Sequence, residues 1–439
     1  MTEVETRSGI FYGWWVIMAC CVIAILSSAS RYSFTMFFPT LLDDLGWTRT
    51  MLGFGLTLHM WVYAITAIVA GILVDRYGAR LIMVGGGVFI LLGLVLTSKM
   101  STVWEFYLYY GVILALGVAT TLSVPAQATA RKWFTKKAGL AMAFAAGGIG
   151  LGFGVVAFVA PGLINAYGWR SSWLYLGLII GIAIVLLAGI IIRKDPESMG
   201  LLPDGDPAPP GSMADEEARQ GLSPSTEEVW TVREALRTRS YWCILFGYGL
   251  IGINYVGISG HVAVWAVDIA KAANIPLEEG MRLIKLSVFL MATISVIGGF
   301  IGGPLSDRIG RKPVFCVSLS LAAAMALYAT VVSSLAGVFI VGTLSGFFMG
   351  LCVPLWASYL GDIFGRASLA TLFGLLTFTM GILGGSGAVI FGWIFDITGS
   401  YKWAWILAAL TTLTIIVLIL FTRQEKKRSP HASYPYPGL

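Results

Sequence analysis

Apolar residues run along this chain in long blocks separated by short polar connections. A helix that crosses a bilayer needs roughly 20 consecutive apolar residues. The blocks and their breaks predict spans over 12–42, 49–74, 80–98, 103–129, 139–165 and 170–193. A second set follows over 239–268, 281–305, 313–333, 336–359, 368–394 and 401–422. Between the sets lies 194–238, rich in Pro, Gly, Asp and Glu, which reads as a soluble linker. Its end, "STEEVWTVREALRTRS", pairs Thr231 with Glu234 as a capping box and predicts a short surface helix. The expected organisation is a tail over 1–11, a six-helix bundle over 12–193, the linker, a second bundle over 239–422 and a tail over 423–439. The fold class is all-α integral membrane. A transmembrane barrel would show short alternating segments instead.

Composition agrees with this reading. Of 439 residues, 57% are hydrophobic and 12% charged, against about 25% charged in a typical soluble domain. The net charge of +6 is spread over the connections and forms no patch for nucleic acid. Orientation follows from the distribution of Lys and Arg. With both termini inside, 21 of the 29 basic residues fall in inner segments and 7 in outer ones, leaving Arg31. This places both termini in the cytoplasm and the protein in the cytoplasmic (inner) membrane, with no cleavage signal ahead of the first span. The five cysteines fall in or beside apolar runs without metal-ligand spacing, and read as small buried hydrophobes. No metal or cofactor is expected.

The halves repeat each other. "GILVDRYGAR" (71–80) follows the second span and "GPLSDRIGRK" (303–312) the eighth. Asp75 and Asp307 lie 232 positions apart, as do Gly78 and Gly310. An internal repeat across a linker is the mark of a two-bundle transporter with its site between the halves. At these residues the chain resembles the major facilitator superfamily, in which the G-x-x-x-D-R-x-G-x-R/K loops clasp neighbouring helices and bias the inward/outward balance. By that resemblance Gly71, Asp75, Arg76, Gly78 and Arg80, with Gly303, Asp307, Arg308, Gly310 and Arg311, are conformational gating residues. "YGWWVIMACC", "RYSFTMFFPTLLDDLGWTR", "RKWFTKKAGLAMAFAAGGIGLG", "GHVAVWAVDIA" and "FDITGSY" are similar to the monocarboxylate-porter and oxalate/formate-antiporter branch. The chain also departs from that branch. The oxalate exchanger of that branch looks to use cations in spans eight and eleven, the animal monocarboxylate carriers resemble each other in an Asp-x-x-x-Arg pair in span eight, and many proton-coupled relatives carry an arginine in span four. Here all three depths are uncharged.

That leaves Arg31, about 28 Å along span one from Tyr12. A charge at that depth costs at least about 2.5–3.5 kcal/mol and points to function. Ser27, Ser28 and Thr35 give it a polar stripe at i−4, i−3 and i+4, flanked by Phe34 and Phe38. A guanidinium fork matches a carboxylate, and the aromatics suit an apolar end. The competing reading is an arginine snorkelling to the outer interface. His261 nearly takes the pseudo-symmetric place of Arg31 in span seven, with Asn254, Gly257 and Trp265 on its face. It is the candidate for substrate binding and proton coupling, against a neutral histidine satisfied by a carbonyl. His59 lies at the depth of Arg31 with Tyr63 on its face, and could complete the site or be a buried structural histidine. Tyr110, Trp356 and Tyr359 are further candidates for the pore.

The sequence thus predicts a secondary transporter of small organic monocarboxylates resembling lactate or pyruvate. Proton symport by alternating access is the expected coupling, and the protein is expected to act as a monomer in the lipid bilayer. One intramembrane cation argues against a dianion, which would keep an unpaired buried charge. An oxalate/formate-type antiporter is the alternative, and a transport-dead carboxylate sensor a further one. Three histidines, one of them in the tail, offer no nucleophile–base set for an enzyme.

Overall fold

The structure is a computed structural model. It describes residues 11–134, 138–193, 195–196, 199, 201, 204, 230–275, 277–364 and 369–423. Most of the linker and both tails lie outside these residues. The described chain is all helix, with no strand among the described residues.

Span one is Tyr12–Leu45, span two Arg49–Tyr77 and span three Ala79–Thr97. Span four is built from Val103–Phe106, a π-helical stretch Tyr107–Leu114, and Ala115–Thr121. It continues, past a break at Leu122, into Ser123–Trp133. Spans five and six lie within the 53 residues Ala138–Ile190 and are separated at a kink at Gly168, whose φ of +74° and ψ of 163° are not helical. A straight helix of that length would reach about 80 Å, far beyond a hydrocarbon core of about 30 Å. The glycine conformation divides it into two crossings. Span seven is Arg239–Ala272, span eight Leu277–Ile309, span nine Arg311–Ala329 and span ten Leu335–Phe364. Span eleven consists of Leu369–Thr379, a π-helical turn Met380–Gly384 and Gly387–Thr398, and span twelve is Lys402–Phe421. These make twelve crossings. The linker helix forms at Val232–Ala235, with the Thr231 hydroxyl and the Glu234 side chain closing its first turn on each other.

Spans one and five pack along most of their length, as do spans eight and ten. Glycines make this possible. A Cβ at Gly152 would meet the Ser28 hydroxyl at 2.0 Å, and one at Gly350 the Ser295 carbonyl oxygen at 2.1 Å. In lipid, helices gain little from apolar burial against each other, so close backbone approach supplies the packing. The two bundles meet along spans one, two, seven and eleven, and through spans five and eight. Much of the exposed surface is apolar, as a lipid-facing surface should be: Ile72, Ile179, Phe300 and Trp393 are all exposed.

Candidate functional site

Span one carries a run of hydroxyls around Arg31, and each is spent on a protein partner. Ser28 donates to the Ala24 carbonyl (2.7 Å), Ser30 to Ser27 (2.7 Å) and Ser33 to Ser30 (2.7 Å). Ser27 donates to Thr121 Oγ1 of span four (2.7 Å). These bonds let small side chains sit against neighbouring helices without orphaned polar atoms. Arg31, only 7% exposed, turns toward span two. One guanidinium nitrogen donates to the Met60 thioether sulfur. The group lies 5.0 Å from the Tyr63 ring centroid and 5.4 Å from that of Tyr32. Its Nε is buried and unpartnered. Among the described residues no carboxylate pairs with it. A thioether is a weak acceptor, so this cation is held in place with its charge uncompensated.

The Tyr110 hydroxyl donates to the Arg31 carbonyl oxygen. His59 Nδ1 lies 3.0 Å from the Tyr110 carbonyl oxygen, and its Nε2 is buried without a partner. Across the seam the Tyr32 and Tyr255 hydroxyls meet at 3.1 Å. The structure therefore brings Arg31, His59, Tyr63 and Tyr110 together. It adds Met60, Tyr32 and Tyr255, which sequence reasoning passed over. Each is the immediate neighbour of a residue it did single out.

Other sequence candidates are placed elsewhere. Ser28 faces span five, with the Gly148 carbonyl at 3.3 Å. Thr35 donates to the Ser259 carbonyl oxygen (2.8 Å) and so ties the bundles together. Phe34 belongs to an aromatic wall with Phe38, Phe106 and Tyr110, at centroid distances of 4.9, 5.8 and 5.4 Å. Asn254 is committed within its own bundle, donating to Thr412 Oγ1 (2.9 Å) and accepting from Thr411 (2.8 Å). Trp356 packs on Phe315 and Tyr248, and the Tyr359 hydroxyl bonds Thr422.

His261 does not stand opposite Arg31. Contacts across the seam pair Tyr32 with Tyr255, Thr35 with Ser259 and Phe38 with His261. This is an offset of 223–224 rather than the 229–232 of the internal repeat. His261 consequently sits at the level of Phe38, seven residues or about 10 Å from Arg31. Both ring nitrogens are occupied. Nε2 donates to the Ala388 carbonyl oxygen (2.8 Å), which leaves Nδ1 to accept from the Tyr401 hydroxyl (2.7 Å).

That tyrosine opens onto a polar cluster closing the end of the seam near residues 45–49. Arg49 of span two donates to the Tyr401 hydroxyl (2.9 Å), pairs with Asp268 of span seven (2.9 Å) and lies 3.6 Å over the Phe395 ring. The Arg49 and Thr50 backbone N–H groups donate to Asp396 of span eleven, at 3.2 and 2.8 Å. Lys271 and Asp43 pair at 3.3 Å, also across the seam. Outside this cluster a vestibule of about 380 Å³ is lined by Trp47, Arg49, Asp268, Lys271 and Asp396.

The repeated loops lie at the opposite end. In the second, Arg311 bridges Asp307 (2.6 Å) and Asp362 of span ten (3.1 Å). Gly303 and Gly71 lie within the helices that lead into these loops, and Arg308 is exposed. In the first loop Arg76 lies 5.2 Å from the Tyr77 ring centroid and Arg80 is exposed, while the Asp75 side chain is outside the described residues. Among the described residues no group of three His, Cys, Asp or Glu is placed to hold a metal ion.

Two linked helical bundles that meet around a buried, unpaired cation and are latched at one end by ion pairs have the build of a membrane transporter. A family model described as Major Facilitator Superfamily matches residues 20–281 and 280–436, and the chain belongs to that family. It is 26% identical over 419 residues to the oxalate:formate antiporter of Oxalobacter formigenes, covering 93% of this chain and 91% of that protein. To monocarboxylate transporter 2 of Rattus norvegicus it is 25% identical over 421 residues, covering 93% and 83%. In fold it is similar to a bacterial homolog of the human lysosomal transporter Spinster, solved in an inward-facing, unoccupied conformation. The TM-score is 0.68 at 15% identity, over 94% of this chain and 95% of that one.

Proposed function

We propose that this transporter carries small organic monocarboxylates, with Arg31 as the carboxylate ligand, and that it moves a proton with the anion. One observation carries the substrate class: a buried guanidinium with an unpartnered Nε and no carboxylate among its described neighbours. Burial strengthens its attraction for an anion, and a single cation balances a single negative charge. The tyrosine rings around it suit the short apolar part of such an acid. His261 is the proposed proton carrier. A proton arriving at Nδ1 would turn the Tyr401 hydroxyl away from the ring and add a positive charge beside the Arg49 cluster. Proton binding would thereby loosen the latch. The family loops at 71–80 and 303–312 are the proposed gating elements. The excess of basic residues at the loop and termini end assigns that end to the cytoplasm of an inner membrane.

Uptake into vesicles tests the carboxylate ligand. Arg31→Ala should abolish uptake of labelled monocarboxylate while leaving folded protein, and Arg31→Lys should cut it strongly through loss of the two-pronged fork. Uptake by Arg31→Ala at the wild-type rate would refute the assignment. For the proton, His261→Gln should shift or flatten the pH dependence of uptake. An unchanged profile removes His261 from that role. The kinship with an oxalate:formate antiporter favours one second reading, obligate exchange. An imposed pH gradient drives net uptake by a symporter. An obligate exchanger ignores the gradient and requires substrate inside.

A further inference from the structure

We propose that the Arg31 site selects 2-hydroxycarboxylates, and that His59 is the residue that favours them over 2-oxo and unsubstituted acids. The inference rests on Arg31 being the carboxylate ligand. His59 is fully buried on span two, with Nδ1 3.0 Å from the Tyr110 carbonyl oxygen. A carbonyl only accepts, so Nδ1 carries the ring proton and Nε2 keeps its lone pair. That nitrogen has no partner. Tyr63, four residues on, shares the helix face of His59, and the Arg31 guanidinium lies 5.0 Å from the Tyr63 ring centroid. A buried acceptor on span two and a buried donor on a guanidinium that turns toward span two are thus both unsatisfied.

A ligand that satisfies both must accept from Arg31 and donate to His59 through neighbouring atoms. A carboxylate with a hydroxyl on the adjacent carbon has this arrangement. A 2-oxo acid would turn a second acceptor toward the His59 lone pair, and an unsubstituted acid would leave that lone pair buried and bare. A 2-amino acid would bring an ammonium beside the guanidinium. Selectivity of this kind arises because the wrong ligand strands a buried polar group.

Lactate, pyruvate and propionate share a three-carbon skeleton and serve as probes. Their affinities for the purified full-length protein can be read by calorimetry or thermal shift. Lactate should bind about tenfold more tightly than either of the others, the ratio expected for one hydrogen bond to a buried group. In His59→Phe, lactate should lose its advantage over propionate. The ranking in the wild-type protein decides the matter even if that variant does not fold. Equal binding of the three acids, or tighter binding of pyruvate, overturns the selectivity. If that binding is lost in Arg31→Ala, the carboxylate assignment survives. If none of the acids binds, or all bind equally well to Arg31→Ala, both readings fall.

Discussion

Gly78 and Gly310, 232 residues apart, adopt almost the same backbone: φ +85°, ψ 155° and φ +92°, ψ 153°. Each ends one span and starts the next within a turn, at a positive φ that an L-residue enters only under strain. Nothing crowds Gly310, where the nearest atom to a Cβ is Pro313 Cδ at 3.6 Å. The requirement is one of backbone shape. Gly78→Ala and Gly310→Ala should each destabilise the protein by about 1–2 kcal/mol, read as a melting temperature lowered by a few degrees in detergent. Gly303→Ala, in open helical surroundings, should be neutral or slightly stabilising. Arg31 also belongs at this scale. Its isolation in an apolar run was plain in the sequence, because a lone charge breaks the pattern. Its partners were not, because Met60, Tyr32 and Tyr255 are ordinary residues for a buried helix. Only the tertiary packing brings them to the guanidinium.

Among the elements, spans one and seven show what a repeat pattern can and cannot convey. The sequence offset of 229–232 relates equivalent residues of the two halves, but touching residues follow an offset of 223–224 because helices that meet do so at shifted heights. Transferring Arg31 by the repeat therefore pointed to His261, whereas the contacts set His261 against Phe38 and Tyr401. The latch at Arg49, Asp268 and Tyr401 was equally hidden, since it draws one residue each from spans two, seven and the start of twelve. Asp268→Asn removes the charge that holds Arg49 and should shift the population toward states open at this end. With a single reporter cysteine at Val264, which lines the vestibule, in an otherwise cysteine-free background, labelling by a maleimide should quicken several-fold in Asp268→Asn. An unchanged labelling rate would mean that the pair does not govern opening.

For the whole molecule, hydropathy alone carried most of the architecture, because lipid forces every span to be long, apolar and internally hydrogen-bonded. The linker helix was legible from Thr231 and Glu234, whose reciprocal bonds are purely local. The break between spans five and six at Gly168 falls where the sequence separates them. The break at Leu122 and the π-helical turns at 107–114 and 380–384 escaped, because local composition does not record them.

The bonds from the Arg49 and Thr50 backbone to Asp396 have a consequence for how the molecule rests. The first turn of span two is capped in its own half by Thr48, and a carboxylate from the other half takes two more of its N–H groups. Helix N-termini carry unsatisfied N–H groups and a partial positive charge that favours such a carboxylate. Each time the two halves part at this end, the first turn loses this carboxylate and keeps only its own Thr48 cap, at a cost of about 0.3–1 kcal/mol. The closed end near residue 49 is thus favoured by the helix itself, in addition to the ion pairs between side chains.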